Sequence, residues 1–205
     1  MKKGSVTITA ILLFTLVLWV ISKNGSLLSQ IQTQPLLMLS QICALWSVIL
    51  IGISFVLASR TKWLAAKLGG MDKVVKLHMY LGGLNFALVF WHPLLLILQA
   101  LPDRQSALGY LWPSFQPWLY GALAIYGFLL VLLFALYIKI RYPYWKTVHD
   151  LLIFPMLLAG LHLLTVTSDV SRSWPLKLWI LLWMVGAVIA YIYKRYKLAQ
   201  WIESK

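Results

Sequence analysis

Apolar residues are concentrated in six long stretches separated by short polar segments. The stretches cover approximately residues 6–21, 35–58, 74–98, 118–140, 147–166 and 175–193. Each is close to the roughly 20 residues with which an α-helix spans the hydrocarbon core of a bilayer. Because backbone polar groups inside lipid must be satisfied within the segment itself, we expect all six stretches to be helices. The pattern predicts an all-α membrane protein, a six-transmembrane-helix bundle.

The composition agrees with this pattern. The chain has 205 residues, of which 61% are hydrophobic and 11% are charged, a balance far from that of soluble domains. Six spans with short loops leave no room for a soluble unit, so we expect residues 1–205 to form a single transmembrane domain. The first stretch follows Lys2 and Lys3, but no small-residue cleavage pattern follows it, which favours a retained helix over a signal peptide.

The formal net charge of +13 is explained by topology. Only four of the eighteen basic residues fall in the alternate loops, namely Lys23, Arg104, Arg172 and Lys177. The positive-inside rule therefore predicts that both termini are cytoplasmic. This distribution argues against a nucleic-acid partner and favours anionic membrane lipid. We expect a multi-pass integral protein of the plasma membrane.

The loop at 101–118 is the longest on the predicted outer side. Its aromatic residues Trp112, Phe115 and Trp118 have two possible roles, which the sequence leaves open. They either anchor the loop at the membrane interface or line an external pocket.

All four histidines of the chain lie in the third and fifth predicted helices. His78 and His92 are 14 residues apart, and His149 and His162 are 13 residues apart. At a rise of ~1.5 Å per residue, each pair extends roughly 20 Å along its helix. Both helices run outward, so His78 and His149 are expected near the cytoplasmic face. His92 and His162 are expected near the outer face.

Two imidazoles at one depth on neighbouring helices can supply both axial ligands of a haem iron, and the second pair can hold a second haem. The spacing therefore indicates two haems between helices 3 and 5, forming an electron route across the bilayer. A haem-free scaffold whose histidines only pack is the alternative. A bare metal site is less favoured because no carboxylate or thiol accompanies either pair.

Small and aromatic residues near the histidines suggest how a macrocycle would fit. Gly82, Gly83 and Gly160 would let a flat ring approach the backbone closely, although small residues also serve ordinary helix packing. Phe154 falls between the two predicted haem levels, where it would pack in the gap.

Basic residues near each level are candidate partners for the haem propionates. They are Lys73, Lys76 and Lys146 on the inner side, and Arg104 and Arg172 on the outer side. Most of them are expected to be ordinary topological charges, with one or two at each level binding a propionate.

The 13-residue spacing in helix 5 has an awkward phase. At ~100° per residue, a 14-residue step returns to within about 40° of its starting face, but a 13-residue step leaves an error of about 140°. Pro155 lies between His149 and His162 and removes a backbone hydrogen bond. We expect a kink or local rewinding there. Thr147, at the predicted start of this helix, is expected to be its N-cap.

At these residues the chain resembles the ferric reductase-like transmembrane domain family, which is shared by iron reductases and superoxide-producing NADPH oxidases. The resemblance rests on KLHMYLGG and WHP in helix 3 and on WKTVHDLLIFPMLLAGLH in helix 5. It implies that His78, His149, His92 and His162 ligate two haems b. It also implies that electrons enter from a cytoplasmic flavin, FAD or FMN, that NAD(P)H reduces. They would leave to a small external acceptor, ferric iron or oxygen.

The chain departs from that family at two points. Met79 follows the first histidine, where family members often have a basic residue. Only twelve residues follow Tyr193, and no Gly-rich phosphate-binding loop is present. We therefore expect the flavin and nucleotide sites on a separate cytoplasmic flavoprotein reductase, or on a C-terminal dehydrogenase domain outside this chain.

Two other functions would keep the haems. A haem subunit that feeds an extracytoplasmic methionine sulfoxide reductase is possible within the family. A quinol-linked cytochrome b also carries two histidines on each of two helices. It is less favoured because its quinol-site motif is not seen here.

Overall fold

The structure is a computed structural model, which describes residues 2–112 and 118–203. Every regular element in these two ranges is helical, which confirms the predicted all-α class. In chain order the helices are α1 (Lys2–Ser22), α2 (Leu27–Thr33), α3 (Pro35–Ala58), α4 (Lys62–Leu68), α5 (Met71–Ala100), α6 (Arg104–Leu111), α7 (Trp118–Tyr137), α8 (Tyr142–Asp150), α9 (Ile153–Thr165), α10 (Asp169–Arg172) and α11 (Trp174–Glu203).

Six stretches of helix are long and apolar enough to cross a membrane, as predicted. Five are single helices, and α8 and α9 together make the sixth. Several of the spans run beyond their predicted bounds. Helix α5 is longer than 74–98 at both ends, and α11 continues past 193 to Glu203. The apolar pattern marks only the part of a helix inside lipid, and Lys and Arg, which are good helix formers, extend it further.

Helix α8 begins at Tyr142 instead of at 147. Pro143 occupies the first turn, where its fixed φ favours helix and its missing N–H is not needed. Thr147 therefore lies inside the helix and is not its N-cap. Its hydroxyl donates to the carbonyl of Pro143 at 3.1 Å.

The fifth span is interrupted at Leu151 and Leu152, between α8 and α9. Pro155 has no N–H to donate four residues back to the carbonyl of Leu151. That carbonyl instead accepts from the amide of Phe154 at 3.0 Å. The amides of Leu151 and Leu152 also bond three residues back.

These three-residue hydrogen bonds wind the chain more tightly than an α-helix does. The tighter winding changes the angle around the helix axis between His149 and His162. A three-residue turn rotates the chain by roughly 120° per residue, about 20° more than an α-helix. The extra rotation reduces the 140° error expected for a 13-residue step. The break therefore turns His162 toward the face of the span that carries His149.

Helix α3 lies at the centre of the bundle, packed against α5 and α11, while α7 packs against α9. The largest fully buried apolar side chains, Ile49, Leu50, Val74, Leu176 and Ile180, belong to α3, α5 and α11. The outer faces of the long helices instead carry large exposed apolar side chains. A continuous apolar exterior of this kind is what a lipid-facing surface requires.

The two ends of the bundle differ in their charged residues. At the end where α1 begins, Gly4 lies against Leu68 of α4 and Leu77 of α5. We call this the basic end, because the chain around α4 and the start of α5 carries Arg60, Lys62, Lys67, Lys73 and Lys76. At the opposite end Lys23 is almost fully buried, and its ammonium lies 2.5 Å from the carboxylate of Asp169. The same ammonium donates to the side-chain carbonyl oxygens of Gln30 and Gln41. Lys23 thereby ties the end of α1 to α2, α3 and α10.

Candidate functional site

Polar residues repeat every seven positions on the facing helices α3 and α5. On α3 they are Ser40, Ser47 and Ser54, and on α5 they are His78, Asn85 and His92. Seven residues are close to two helical turns, so each set lies along one face of its helix. The helices are antiparallel, which pairs His78 with Ser54 and His92 with Ser40.

Both histidines of α5 are held through Nδ1 by main-chain carbonyls of α3. The Nδ1 of His78 lies 3.1 Å from the carbonyl oxygen of Ser54. The Nδ1 of His92 lies 3.1 Å from the carbonyl oxygen of Ser40. A carbonyl can only accept, so Nδ1 is the nitrogen that carries the hydrogen. In the neutral ring Nε2 is then deprotonated, and its lone pair can bind a metal.

His92 has a further contact with the fully buried side chain of Ser40. The hydroxyl oxygen of Ser40 lies 2.8 Å from Nδ1 and donates to the main-chain carbonyl of His92 at 2.9 Å. The ring of His92 is therefore fixed by both the backbone and the side chain of Ser40.

At the basic end, His78 of α5 faces His149 of α8. Their ring centroids are 6.0 Å apart and the ring planes are inclined by 53°. Both rings line a largely apolar cavity of about 410 Å³, which we call the inner cavity. The fifth span thus presents its first histidine to the first histidine of the third span.

The inner pair meets the dimensions of a metal held between two imidazoles. At bond lengths of about 2.0–2.1 Å, as at zinc, two nitrogens on opposite sides of one metal are about 4 Å apart. Each ring centroid lies beyond its ligating nitrogen, so the two centroids must be more than about 4 Å apart. The observed separation of 6.0 Å between the centroids of His78 and His149 meets this requirement. Among the described residues no group of three or more His, Cys, Asp or Glu could hold a metal. A metal held by this pair would take its remaining ligands from outside these side chains. A macrocycle such as haem would supply them, and the residues present fit that group.

His92 and His162 share a second, narrower cavity of about 80 Å³, the outer cavity, with Gly121 of α7. A Cβ at Gly121 would lie 3.0 Å from ring atoms of His162. The missing side chain at this position therefore makes room for the imidazole. The ring of Trp118 lies 6.2 Å from that of His162.

A wider opening of about 520 Å³ adjoins the outer pair, and we call it the vestibule. Its lining includes both histidines together with Trp118, Arg172 and Tyr110. Trp118 is thus a pocket residue, whereas Trp112 is strongly exposed, as expected of an interface anchor. Phe115 lies outside the described residues.

The predicted packing residues differ in where they lie. Gly82 and Gly83 line the inner cavity, and a Cβ at either would meet nothing within 4 Å. Their small size leaves space in the cavity and is not required by helix packing. Gly160 is different, because the side chain of Met184 fills the space beside it. Phe154 is mostly exposed and lines neither histidine cavity, so it does not occupy the gap between the two levels.

The predicted basic partners mostly lie away from the cavities. Arg172 lines the vestibule, but Arg104 does not. Lys73, Lys76 and Lys146 do not line the inner cavity. Lys194 of α11 lines the inner cavity instead. It was not among the predicted partners, because it lies far along the chain from both histidines.

Lys194 is held by Asp150, the residue that follows His149. Its ammonium donates to the buried carboxylate of Asp150, and Arg195 lies 3.8 Å from the second carboxylate oxygen. This pair of contacts joins the end of α8 to α11. It places a cation on the wall of the inner cavity next to His149.

The inner and outer cavities have four lining residues in common: Ile51, Asn85, Val89 and Phe128. Three are apolar, and the fourth is a buried amide. These residues, and not Phe154, separate the two histidine levels.

Comparison with known proteins gave a match to a protein family. A family model described as "Ferric reductase like transmembrane component" matches residues 43–160. The match covers more than half of the chain and includes three of the four histidines, with His162 two residues beyond it. No curated protein matches the chain, and no solved structure does.

Proposed function

The chain belongs to the ferric reductase-like transmembrane family, and we propose that it carries electrons across the plasma membrane through two haems b. His78 and His149 would ligate the inner haem, and His92 and His162 the outer one. The basic end, with both termini, would face the cytoplasm. Family membership supports the oxidoreductase role, while the ligands and the orientation are our inference.

One observation carries the proposal. The rings of His78 and His149 face each other at 6.0 Å across an apolar cavity, and the contact that orients His78 recurs 14 residues later at His92. Each of these two contacts uses Nδ1 and leaves Nε2 of the α5 histidine for a ligand.

The protein supplies ligation, orientation and charge. The carbonyls of Ser40 and Ser54 fix the tautomer of the α5 histidines, so that Nε2 is the ligating atom. Lys194 at the inner cavity and Arg172 at the vestibule are the cations that would face propionate carboxylates. A bound haem supplies one-electron exchange at its iron.

Two levels divide the membrane crossing into shorter steps. His78 and His92 are 14 residues apart on α5, which is roughly 21 Å along the helix axis. The hydrocarbon core is about 30 Å thick. A centre at each level would leave only short distances to a donor or an acceptor at either face.

The donor and the acceptor are proposed by analogy with the family. NAD(P)H would give a hydride, which carries two electrons, to a flavin, FAD or FMN. This flavin would be bound by a cytoplasmic flavoprotein reductase or a dehydrogenase domain. The flavin would release the electrons singly, so one NAD(P)H reduces two ferric ions to ferrous, or two oxygen molecules to superoxide. Because His92 and His162 would both hold the outer haem, the acceptor would be reduced in the vestibule beside it.

Vesicles containing the purified protein test this function. Ferricyanide is enclosed inside them, and reduced FMN, which does not cross the bilayer, is added outside. Haem-loaded wild-type protein should bleach the enclosed ferricyanide faster than protein-free vesicles do. The variant His162→Leu, which lacks an outer ligand, should bleach it at the background rate. Haem-loaded wild-type protein that bleaches no faster than empty vesicles would contradict the proposal.

A further inference from the structure

Asn85 lies midway between the two histidine levels. It is seven residues from both His78 and His92 on the same face of α5. It is almost fully buried, with 7% of its surface exposed. It lines both the inner and the outer cavity. Asn85 is therefore positioned to affect both levels at once.

The amide of Asn85 lacks the hydrogen bond that its burial calls for. Its Oδ1 is buried and has no hydrogen-bond partner in the described part of the chain. The facing residue on α3, Ser47, donates instead to the carbonyl of Ala44 in its own helix at 2.8 Å. A buried polar group without a partner destabilises the fold, and such groups are rare in native proteins.

Helix packing does not account for this amide. A polar residue that joins two membrane helices does so through a hydrogen bond, and Asn85 makes none to α3. Its neighbours on the shared wall, Ile51, Val89 and Phe128, are apolar. The described residues therefore give the amide oxygen no partner, and the two cavities that Asn85 lines are where one would be supplied.

We propose that Asn85 is a tuning residue that lowers the reduction potential of at least one of the two haems, an inference that rests on the proposed function. A ferric haem with two neutral imidazoles carries a net positive charge, and the ferrous form carries none. In a low-dielectric interior, a dipole that orients toward the charge stabilises the ferric form. Polarity at this position therefore favours oxidation, and its removal favours reduction.

The test is a potentiometric titration of purified, haem-loaded protein with haem content measured per chain. Asn85→Leu replaces the amide with an apolar side chain of similar size. Both haems should remain bound, and at least one midpoint potential should rise. The expected rise corresponds to a three- to tenfold change in the ratio of oxidised to reduced haem, where tenfold equals 59 mV for one electron.

A matched control separates polarity from packing. Ile53→Val trims a buried apolar residue of α3 that lines neither histidine cavity, and both potentials should stay at the wild-type values. If Asn85→Leu fails to fold, Asn85→Val and Asn85→Thr provide the comparison, because these side chains have nearly the same shape. The valine variant should then have the higher potentials.

The outcomes distinguish this inference from the function on which it rests. Wild-type protein with two haems, and potentials that are equal in wild type and Asn85→Leu, or in the Val and Thr variants, would overturn the role of Asn85 alone. Wild-type protein that binds no haem would overturn the proposed function, and the role of Asn85 with it.

Discussion

The side chain of Ser40 holds His92 by two contacts at once, 2.8 Å to Nδ1 and 2.9 Å to the main-chain carbonyl. The corresponding residue at the other level, Ser54, contacts His78 only through its backbone carbonyl. The two serines occupy equivalent register positions but differ in what their side chains do. Substitution of each can therefore separate side-chain from backbone support.

Ser40→Ala should loosen the outer level. The variant loses hydroxyl contacts that contribute about 0.5–1.5 kcal/mol per hydrogen bond, so its unfolding midpoint in detergent micelles should fall. The spectrum of the outer haem should broaden as His92 gains freedom. Ser54→Ala is the matched control. The hydroxyl of Ser54 is buried and has no hydrogen-bond partner among the described residues. Its loss should therefore leave the haem spectrum unchanged and the free energy of unfolding unchanged or slightly higher.

Gly121→Ala should weaken the outer haem without affecting the inner one. The new Cβ would lie 3.0 Å from the imidazole of His162, closer than ordinary van der Waals contact, so the ring must move off its position. Haem content per chain should fall from two toward one. Gly186→Ala is the control, since a Cβ there meets nothing within 4 Å. It should retain both haems and gain about 0.5–1 kcal/mol from helix propensity. Retention of two normal haems by Gly121→Ala would show that His162 does not ligate at that position.

Lys194→Met should affect both stability and the inner potential. It leaves the buried carboxylate of Asp150 with only Arg195 at 3.8 Å. Removing one partner of a fully buried pair costs about 3–5 kcal/mol. Since the Lys194 side chain is 21% exposed, we expect a smaller loss of about 1–3 kcal/mol. The inner midpoint potential should fall, because a positive charge near the ferric haem is removed.

The control for this variant is Lys197→Met on the same helix. Lys197 is exposed, and its ammonium lies over the ring of Tyr193 at 4.9 Å. Its removal should cost no more than about 1 kcal/mol and leave both potentials unchanged. Equal effects of the two variants would indicate a general loss of positive charge and not a contact at the inner cavity.

Lys23 and Asp169 should behave as a coupled pair at the opposite end of the bundle. Asp169→Asn leaves the ammonium of Lys23, with 1% of its side chain exposed, without its counter-charge. This variant should lose about 3–5 kcal/mol. The double variant Lys23→Met with Asp169→Asn should lose less than the sum of the single changes, by about 0.5–3 kcal/mol. Strict additivity in chemical unfolding would mean that the pair contributes nothing as a pair.

The sequence predicted the parts of this fold that lipid dictates. Six spans follow from six apolar stretches, because backbone groups in a membrane have few alternatives to the helix. The depth of each histidine follows from its distance along a helix, which is why His78 and His149 were expected at one level. A break in the fifth span was expected from Pro155. The structure shows the break at Leu151 and Leu152, one turn earlier. Pro155 has no N–H for the carbonyl of Leu151, which accepts from the amide of Phe154 instead.

The rotation of each helix about its own axis could not be predicted in the same way. A helix that is apolar all round gives no signal of which face meets which neighbour. The contacts of Gly121 with His162 and of Lys194 with the inner cavity depend on that rotation. So does the outward position of Phe154. The seven-residue repeat of Ser40, Ser47 and Ser54 marks the face of α3 that meets α5. It identifies that face only when it is aligned with the equal repeat of His78, Asn85 and His92 on α5.

Haem content per chain, measured on purified protein after haem supplementation, tests the central claim most directly. Wild-type protein should contain two haems b with the reduced-minus-oxidised spectrum of bis-histidine iron. The variants His149→Ala and His162→Ala should each contain one, and the double variant none. Colourless wild-type protein, or two haems retained in either single variant, would contradict the pairing of the third and fifth spans around two irons.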